Sequence, residues 1–251
     1  MNQLTGFFWF VLMLVPLTFL QRLLHREIQA VFLILTRNAQ LTMGIFQFIF
    51  LPGVFLHEAS HFLMAKILRV PTGRFSILPE PLPDGQLRLG YVETAKSDIV
   101  RDSLIGAAPL IIGTIFVAYI SIYQLEMRVL WEVLKNGQLS LFWMGIRALP
   151  NGQDFYLWFY LAFVVSSTMM PSDSDRHAWL ELLISVGVLF SITLLIGAGP
   201  WMLNNVAPVI SNFLSSVAVI FGLSSIVHIL LVLPTALIHR LLTRVTGVDV
   251  A

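Results

Sequence analysis

Six stretches of this chain are apolar for long enough to cross a lipid bilayer, and inside lipid the choice of fold is narrow. A helix needs about 20 mostly apolar residues to span the hydrocarbon. With no water there to bond the backbone, a single span must be a helix, which pairs its own N–H and C=O groups. The stretches are roughly 4–20, 41–64, 103–125, 155–170, 179–203 and 213–237. They predict an all-α polytopic membrane protein of about six transmembrane helices, with 1–251 as a single membrane domain. The composition agrees: 57% of residues are hydrophobic and 12% charged, against about 25% charged in soluble domains. The first stretch lacks a basic leader and a small-residue cleavage site, so it reads as a span and not as a cleavable signal. Segment 26–35 is too short to span alone. It either lies at the interface or extends the second helix backwards. Segment 129–149 mixes Trp131, Glu132, Lys135, Trp143 and Arg147 with apolar residues, as an interfacial amphipathic segment does.

One connection differs in kind. Residues 72–95 read TGRFSILPEPLPDGQLRLGYVETA. A centre rich in turn formers, flanked by partly alternating runs, predicts a β-hairpin at the membrane surface. With six spans, one face collects nine Lys and Arg: Lys66, Arg69, Arg74, Arg88, Lys96, Arg101, Arg176, Arg240 and Arg244. The other collects six. The positive-inside rule then puts the first face, and both termini, in the cytoplasm. A formal net charge of +1 offers nothing to nucleic acid.

The chemistry concentrates in His57-Glu58-Ala59-Ser60-His61. Histidines four apart share one face of a helix, a turn apart. Two imidazoles so placed can hold one Zn²⁺, with Glu58 placed as general base towards the water that the metal activates. With 6 His and 7 Glu in 251 residues, chance supplies about 0.004 such HExxH matches. The motif is bracketed by apolar sequence, and ionisable residues inside a membrane are expensive enough that they usually serve a function. There are no cysteines, so any further ligand must be His, Asp or Glu. Catalytic zinc takes three protein ligands and keeps one position open. Asp173 and Asp175, in SSTMMPSDSDRHAW (166–179), follow the fourth span at the end where HEASH lies. The same segment holds His177, and the three stay open as the third ligand. Ser172 and Asp175 also match an S-x-x-D capping box opening the fifth helix. His25, His177 and His239 sit beside Arg or Asp at span edges and read as solvated. His228, alone within a span, reads as an interhelical hydrogen bond.

These residues resemble the site-2 protease family of intramembrane zinc metalloproteases. That family carries HExxH on one membrane helix and a ligand Asp on a later one, within Asn-x-x-Pro-x-x-x-x-Asp-Gly. HEASH matches the first motif. In the second, Thr168 takes the Asn position and Pro171 the Pro. Arg176 stands at the Asp position with Asp175 one residue earlier, and His177 replaces the Gly. The resemblance covers about 41–179. It implies zinc on His57, His61 and Asp175, with Asp175 the first choice of acid and Asp173 the second, Glu58 as catalytic base, and an extended substrate presented by the 75–94 hairpin. It also implies a Gly-Pro element packed on the site, matched here by Gly106-Ala107-Ala108-Pro109. The expected activity is hydrolysis of peptide bonds in or near membrane-spanning segments of a protein substrate. Arg176, Ser167, Thr168 and His177 are the candidate oxyanion donors. The expected setting is a bacterial plasma membrane, with the site near its cytoplasmic face and the lipid bilayer as surroundings. A catalytically inactive protease-like scaffold and a transporter working through His228 are the two alternative readings. The oligomeric state is not legible in the sequence.

Overall fold

The structure, a computed structural model, describes residues 5–81 and 87–248. The chain runs α1 (Thr5–Thr36), α2 (Ala39–Ile67), β1 (Thr72–Ser76), β2 (Glu80–Pro81), β3 (Leu87–Arg88) and β4 (Tyr91–Thr94). It continues through α3 (Ile99–Tyr119, running on as a π turn, Ile120–Gln124), α4 (Met127–Lys135), α5 (Leu139–Ala148) and α6 (Phe155–Thr168). Helices α7 (Trp179–Leu195), α8 (Gly199–Asn205) and α9 (Ala207–Thr246) complete it. Four of these, α1, α2, α3 with its π turn, and α9, are long and apolar enough to cross a membrane. The protein is therefore membrane-embedded. Large apolar side chains such as Phe19, Phe48, Leu183 and Val245 point outwards, exposed, as lipid permits and water does not. The interior is packed by Leu24, Phe46, Phe50, Val54, Val117, Phe163 and Val164, drawn from α1, α2, α3 and α6.

Several elements differ from the sequence reading. Segment 26–35 neither lies apart nor joins the second helix; it is the last third of α1, which ends at Arg37 with φ +52°. Asn38 then caps α2, its side chain accepting from the Leu41 N–H at 3.1 Å. The stretch 179–203 is not one helix. It breaks between α7 and α8 with a bend of 115°, and the pair makes a fifth span only if counted as one. α6, at 14 residues, is apolar but shorter than a full span. The amphipathic segment 129–149 becomes the two short helices α4 and α5.

Helix directions bear on the six-span count. Three contacts set α9 beside α1: the Gly6 N–H donates to Ser211 Oγ at 3.0 Å, the Phe10 and Phe221 rings lie 5.6 Å apart, and His239 Nδ1 donates to Glu27 at 2.7 Å. Both positions rise together, so α1 and α9 run parallel. The His25 ring packs on Phe46 and Phe50, and His61 reaches Ile105, which places the start of α1, the end of α2 and the start of α3 at one end of the bundle. α7 leaves from that end, where the Ser103 hydroxyl donates to the Ala178 carbonyl, and α9 begins there too. Segment 178–206 thus returns to the end it left, and the two ends of the chain lie at opposite ends of the bundle. Six crossings would place them together. Arg240 and Arg244 change sides with α9 and Arg22 lies at the middle of α1, leaving seven positive residues against seven, so the charge bias no longer selects a face.

The hairpin forms as the alternation predicts. β1 pairs antiparallel with β4, with Phe75 opposite Val92 and Ser76 opposite Tyr91, and β2 pairs with β3. The tip of its turn, 82–86, lies outside the described residues. Buried Gln47 of α2 holds the sheet down: its amide nitrogen donates to the carbonyls of Ile77 at 2.7 Å and Leu89 at 2.9 Å.

The native chain has no cysteine, so single cysteines report topology directly. Cysteines introduced at Thr5 and at Val248 are expected to react with a membrane-impermeant maleimide from opposite sides of the membrane. Labelling of both from one side would restore an even number of crossings.

Candidate metal centre

His57, Glu58 and His61 ride on the last third of α2, where the Lys66 and Leu68 end of the helix approaches the hairpin. Each imidazole is held by a backbone carbonyl that the fold has left without a helical partner. Thr168 is the last residue of α6, so its carbonyl has no N–H four residues on; His57 Nδ1 donates to it at 2.6 Å. Ile105 lies inside α3, but the residue four positions later is Pro109, which has no N–H. The freed Ile105 carbonyl accepts from His61 Nδ1 at 2.8 Å. A carbonyl can only accept, so in both neutral rings the proton is on Nδ1 and the lone pair on Nε2.

The two Nε2 atoms lie 3.2 Å apart. Asp175 closes the triangle, with its Oδ1 at 3.2 Å from His61 Nε2 and its Oδ2 at 3.7 Å from His57 Nε2. Two lone pairs and a carboxylate facing one another repel unless a cation lies among them. A tetrahedral ion with bonds of about 2.0–2.1 Å needs donors about 3.3–3.4 Å apart, close to the separations here. His57, His61 and Asp175 therefore fit a metal ion, and among the described residues they are the His, Asp and Glu group whose donor atoms converge to within 4.8 Å.

The loop that delivers Asp175 is shaped by Ser172. The Ser172 N–H and hydroxyl donate to Asp175 Oδ2 at 2.7 and 2.6 Å, and the Asp175 N–H returns a bond to Ser172 Oγ at 3.3 Å. The S-x-x-D pairing is present, but it does not open the fifth helix: α7 starts after Ala178, with no side-chain cap. It aims the carboxylate instead. Gly106 lets this loop approach α3; a Cβ there would stand 1.9 Å from the Asp175 carbonyl oxygen. Asp173 points elsewhere, almost fully exposed and paired with Arg176. The structure thus brings the first-choice ligand to the histidines and leaves the second outside.

Glu58 is buried, 8% exposed, under the hairpin. A Cβ on Gly90 would lie 2.9 Å from Glu58 Cγ and 3.2 Å from its Oε1, so the bare glycine backbone makes room for the side chain. All four residues line one open cavity of about 1230 Å³, walled by α1, α2, β4, the start of α3 and the 167–179 segment. Of the oxyanion candidates, Arg176 bonds Asp173 and the Ser172 carbonyl, and His177 Nδ1 donates to Ser174. The Thr168 hydroxyl donates to Val164 at 2.9 Å. The Ser167 hydroxyl donates to His228 Nε2 at 2.9 Å while His228 Nδ1 donates to Ser224 at 2.7 Å; His228 is an interhelical bond between α6 and α9. His25 and His239 are not solvated edges: the first packs on Phe46 and Phe50, the second pairs with Glu27 inside the bundle.

Sequence reasoning passed over Gln47, Gly90 and the two carbonyls. Gln47 had a signal, a lone polar residue in the run IFQFIF. Ile105 had one also: Pro109 stands four residues after it. Thr168 had none before the helix end was known. No family model, characterised protein or solved structure matches this chain.

Elemental analysis of the purified protein supplied with divalent metal is expected to find one ion per chain. His57→Ala, His61→Ala and Asp175→Ala lose it, and Asp173→Ala keeps it; retention in Asp175→Ala would exclude that ligand. Pro109→Ala restores an N–H to α3, which recaptures the Ile105 carbonyl and releases His61. Metal affinity should fall about 10–100-fold, as for loss of other outer partners of ligand imidazoles, in a competition titration against a chelator.

Proposed function

We propose that this protein is an intramembrane zinc metallopeptidase of the site-2 protease kind, cleaving apolar segments of other membrane proteins. One observation carries the reading: two imidazole Nε2 atoms and an Asp carboxylate converge inside a membrane bundle, with a buried glutamate adjacent in sequence to the first histidine. Two histidines, one carboxylate and an open side facing a cavity are the donor set of hydrolytic zinc. Zinc bound there would acidify water and polarise a carbonyl.

The chain's own residues supply the rest. His57 and His61 are locked in one tautomer by Thr168 and Ile105, so both present Nε2 without rearrangement. Asp175 adds the negative charge and leaves one side of the site facing the cavity. Glu58 takes a proton from the attacking water as the C–O bond forms, and passes it to the amine nitrogen as the C–N bond breaks. The substrate has to be extended, because a helix shields its own peptide bonds. β4 supports that step. Its residues line the cavity, and among the described residues β1 is the strand it pairs with in its two-stranded sheet. A substrate strand added along its other edge would have its backbone bonded and its side chains alternating. We place the protein in a bacterial plasma membrane, which suits one compact membrane unit; the labelling experiment above reads the face towards which the site opens.

The scaffold reading drew on the departure of the second motif from the family pattern. Asp175 meets the histidines in spite of that departure, because the Ser172 turn re-aims it. The transporter reading drew on His228, whose two ring nitrogens are both taken up in bonds between and within helices.

In proteoliposomes with a labelled single-span substrate, Glu58→Gln is expected to lower cleavage by about 10²–10⁴-fold, the range for a lost general base, with the metal retained. His228→Gln should leave cleavage within a few-fold of wild type. A wild type that holds metal but cleaves no membrane segment, in detergent or lipid, would favour the scaffold.

A further inference from the structure

The cavity has a second wall whose residues the chemistry above does not use. Thr18, Gln21, Arg22 and His25 all line it. Their spacing puts them on one face of α1, a polar stripe along an otherwise apolar helix. Gln21 is engaged with the Ser167 carbonyl, and Thr18 with its own helix. Arg22 is exposed to the cavity and forms no hydrogen bond or ion pair among the described residues. One turn further along, His25 has a buried Nε2 with no hydrogen-bond partner among the described residues. Because the His25 ring packs on Phe46 and Phe50, Arg22 stands level with about the middle of α2 and lines the cavity at that height. A cation held at that depth is costly and usually has an anionic partner.

We propose that Arg22 is a specificity residue that binds a carboxylate of the substrate. Depth selects this ligand: a lipid phosphate belongs at the bilayer surface, whereas a carboxylate on a membrane segment can be carried to mid-height by the segment itself. The planar guanidinium matches a carboxylate with two parallel hydrogen bonds. Of the carboxylates that line the cavity, Glu58 and Asp175 are committed to the metal side, Asp173 pairs with Arg176, and Asp102 accepts from the Ser97 hydroxyl. The preferred substrate is then an apolar segment bearing an acidic side chain, or ending in a free carboxylate, that seats against α1 while its backbone lies along β4. This rests on the peptidase reading for its substrate, but its test does not rest on hydrolysis.

Binding is measured on the full chain in nanodiscs, in the Glu58→Gln background, with fluorescent apolar 22-residue peptides. One peptide carries a central Glu and an amidated end, one a central Gln and an amidated end, and one a Gln and a free terminal carboxylate. The Glu or the free-carboxylate peptide should bind about 10–100-fold tighter than the neutral one, the gain of a charge-assisted hydrogen bond; which of the two does so identifies the source. Arg22→Gln should remove the difference, Arg22→Lys should keep most of it, and Arg22→Glu should transfer the preference to a peptide with a central Lys. Metal content equal to that of the parent shows that each variant is folded. Equal binding of all three peptides, or a preference that survives Arg22→Gln, overturns the proposal. Should the protein with Glu58 intact also bind acidic peptides through Arg22 but neither hold metal nor cleave them, the peptidase reading fails and the carboxylate site stands.

Discussion

A backbone carbonyl without a donor is costly wherever water cannot reach it, and in hydrocarbon nearly every one is paired inside its own helix. Two of the carbonyls that escape that pairing face the histidines, Thr168 because α6 ends and Ile105 because Pro109 has no N–H. Both recruit the Nδ1–H of a histidine on α2. The same bonds that relieve the backbone settle the tautomer of each ring and turn the two Nε2 lone pairs towards one point. The site's geometry is in this sense a by-product of satisfying the membrane's demand on α3 and α6.

The remaining parts depend on that arrangement. Asp175 completes it only because Gly106 lets the loop settle against α3 and because Ser172 closes a turn around the carboxylate. Glu58 is covered because Gly90 has no side chain and because Gln47 pins the hairpin to the helix that carries the histidines. Helix α2 is thus the common reference: it carries two ligands and the base, it anchors the sheet, and it contacts both helices that orient its imidazoles. A shift of α2 against α3 or α6 would disturb the ligands and the tautomer together.

The bilayer also separates two kinds of polar residue in this protein. Ser167 with His228 and Glu27 with His239 are closed pairs that knit α1, α6 and α9. Arg22, Glu58 and Asp175 face a cavity instead. Polar groups of the first kind specify which helices touch. Those of the second kind are the ones a ligand can reach.

Much was legible in the residues alone. Apolar length marked the spanning helices, because a helix is the structure that pairs its own backbone in lipid. The i, i+4 spacing of His57 and His61 placed both rings on one face, since helical periodicity is local. The turn formers of 79–85 marked the hairpin. What the residues did not show is relational. The parallel course of α1 and α9, the return of segment 178–206 to the end it left, and the fusion of 26–35 into α1 follow from packing between distant segments. The choice of Asp175 over Asp173 was likewise made by contacts across the fold, where Gly106, Ser172 and Arg176 sort two carboxylates only two residues apart. Periodicity and composition act over one or two turns of chain. Direction, depth and the meeting of side chains more than a hundred residues apart are properties of the packed bundle, and only the tertiary structure decides them.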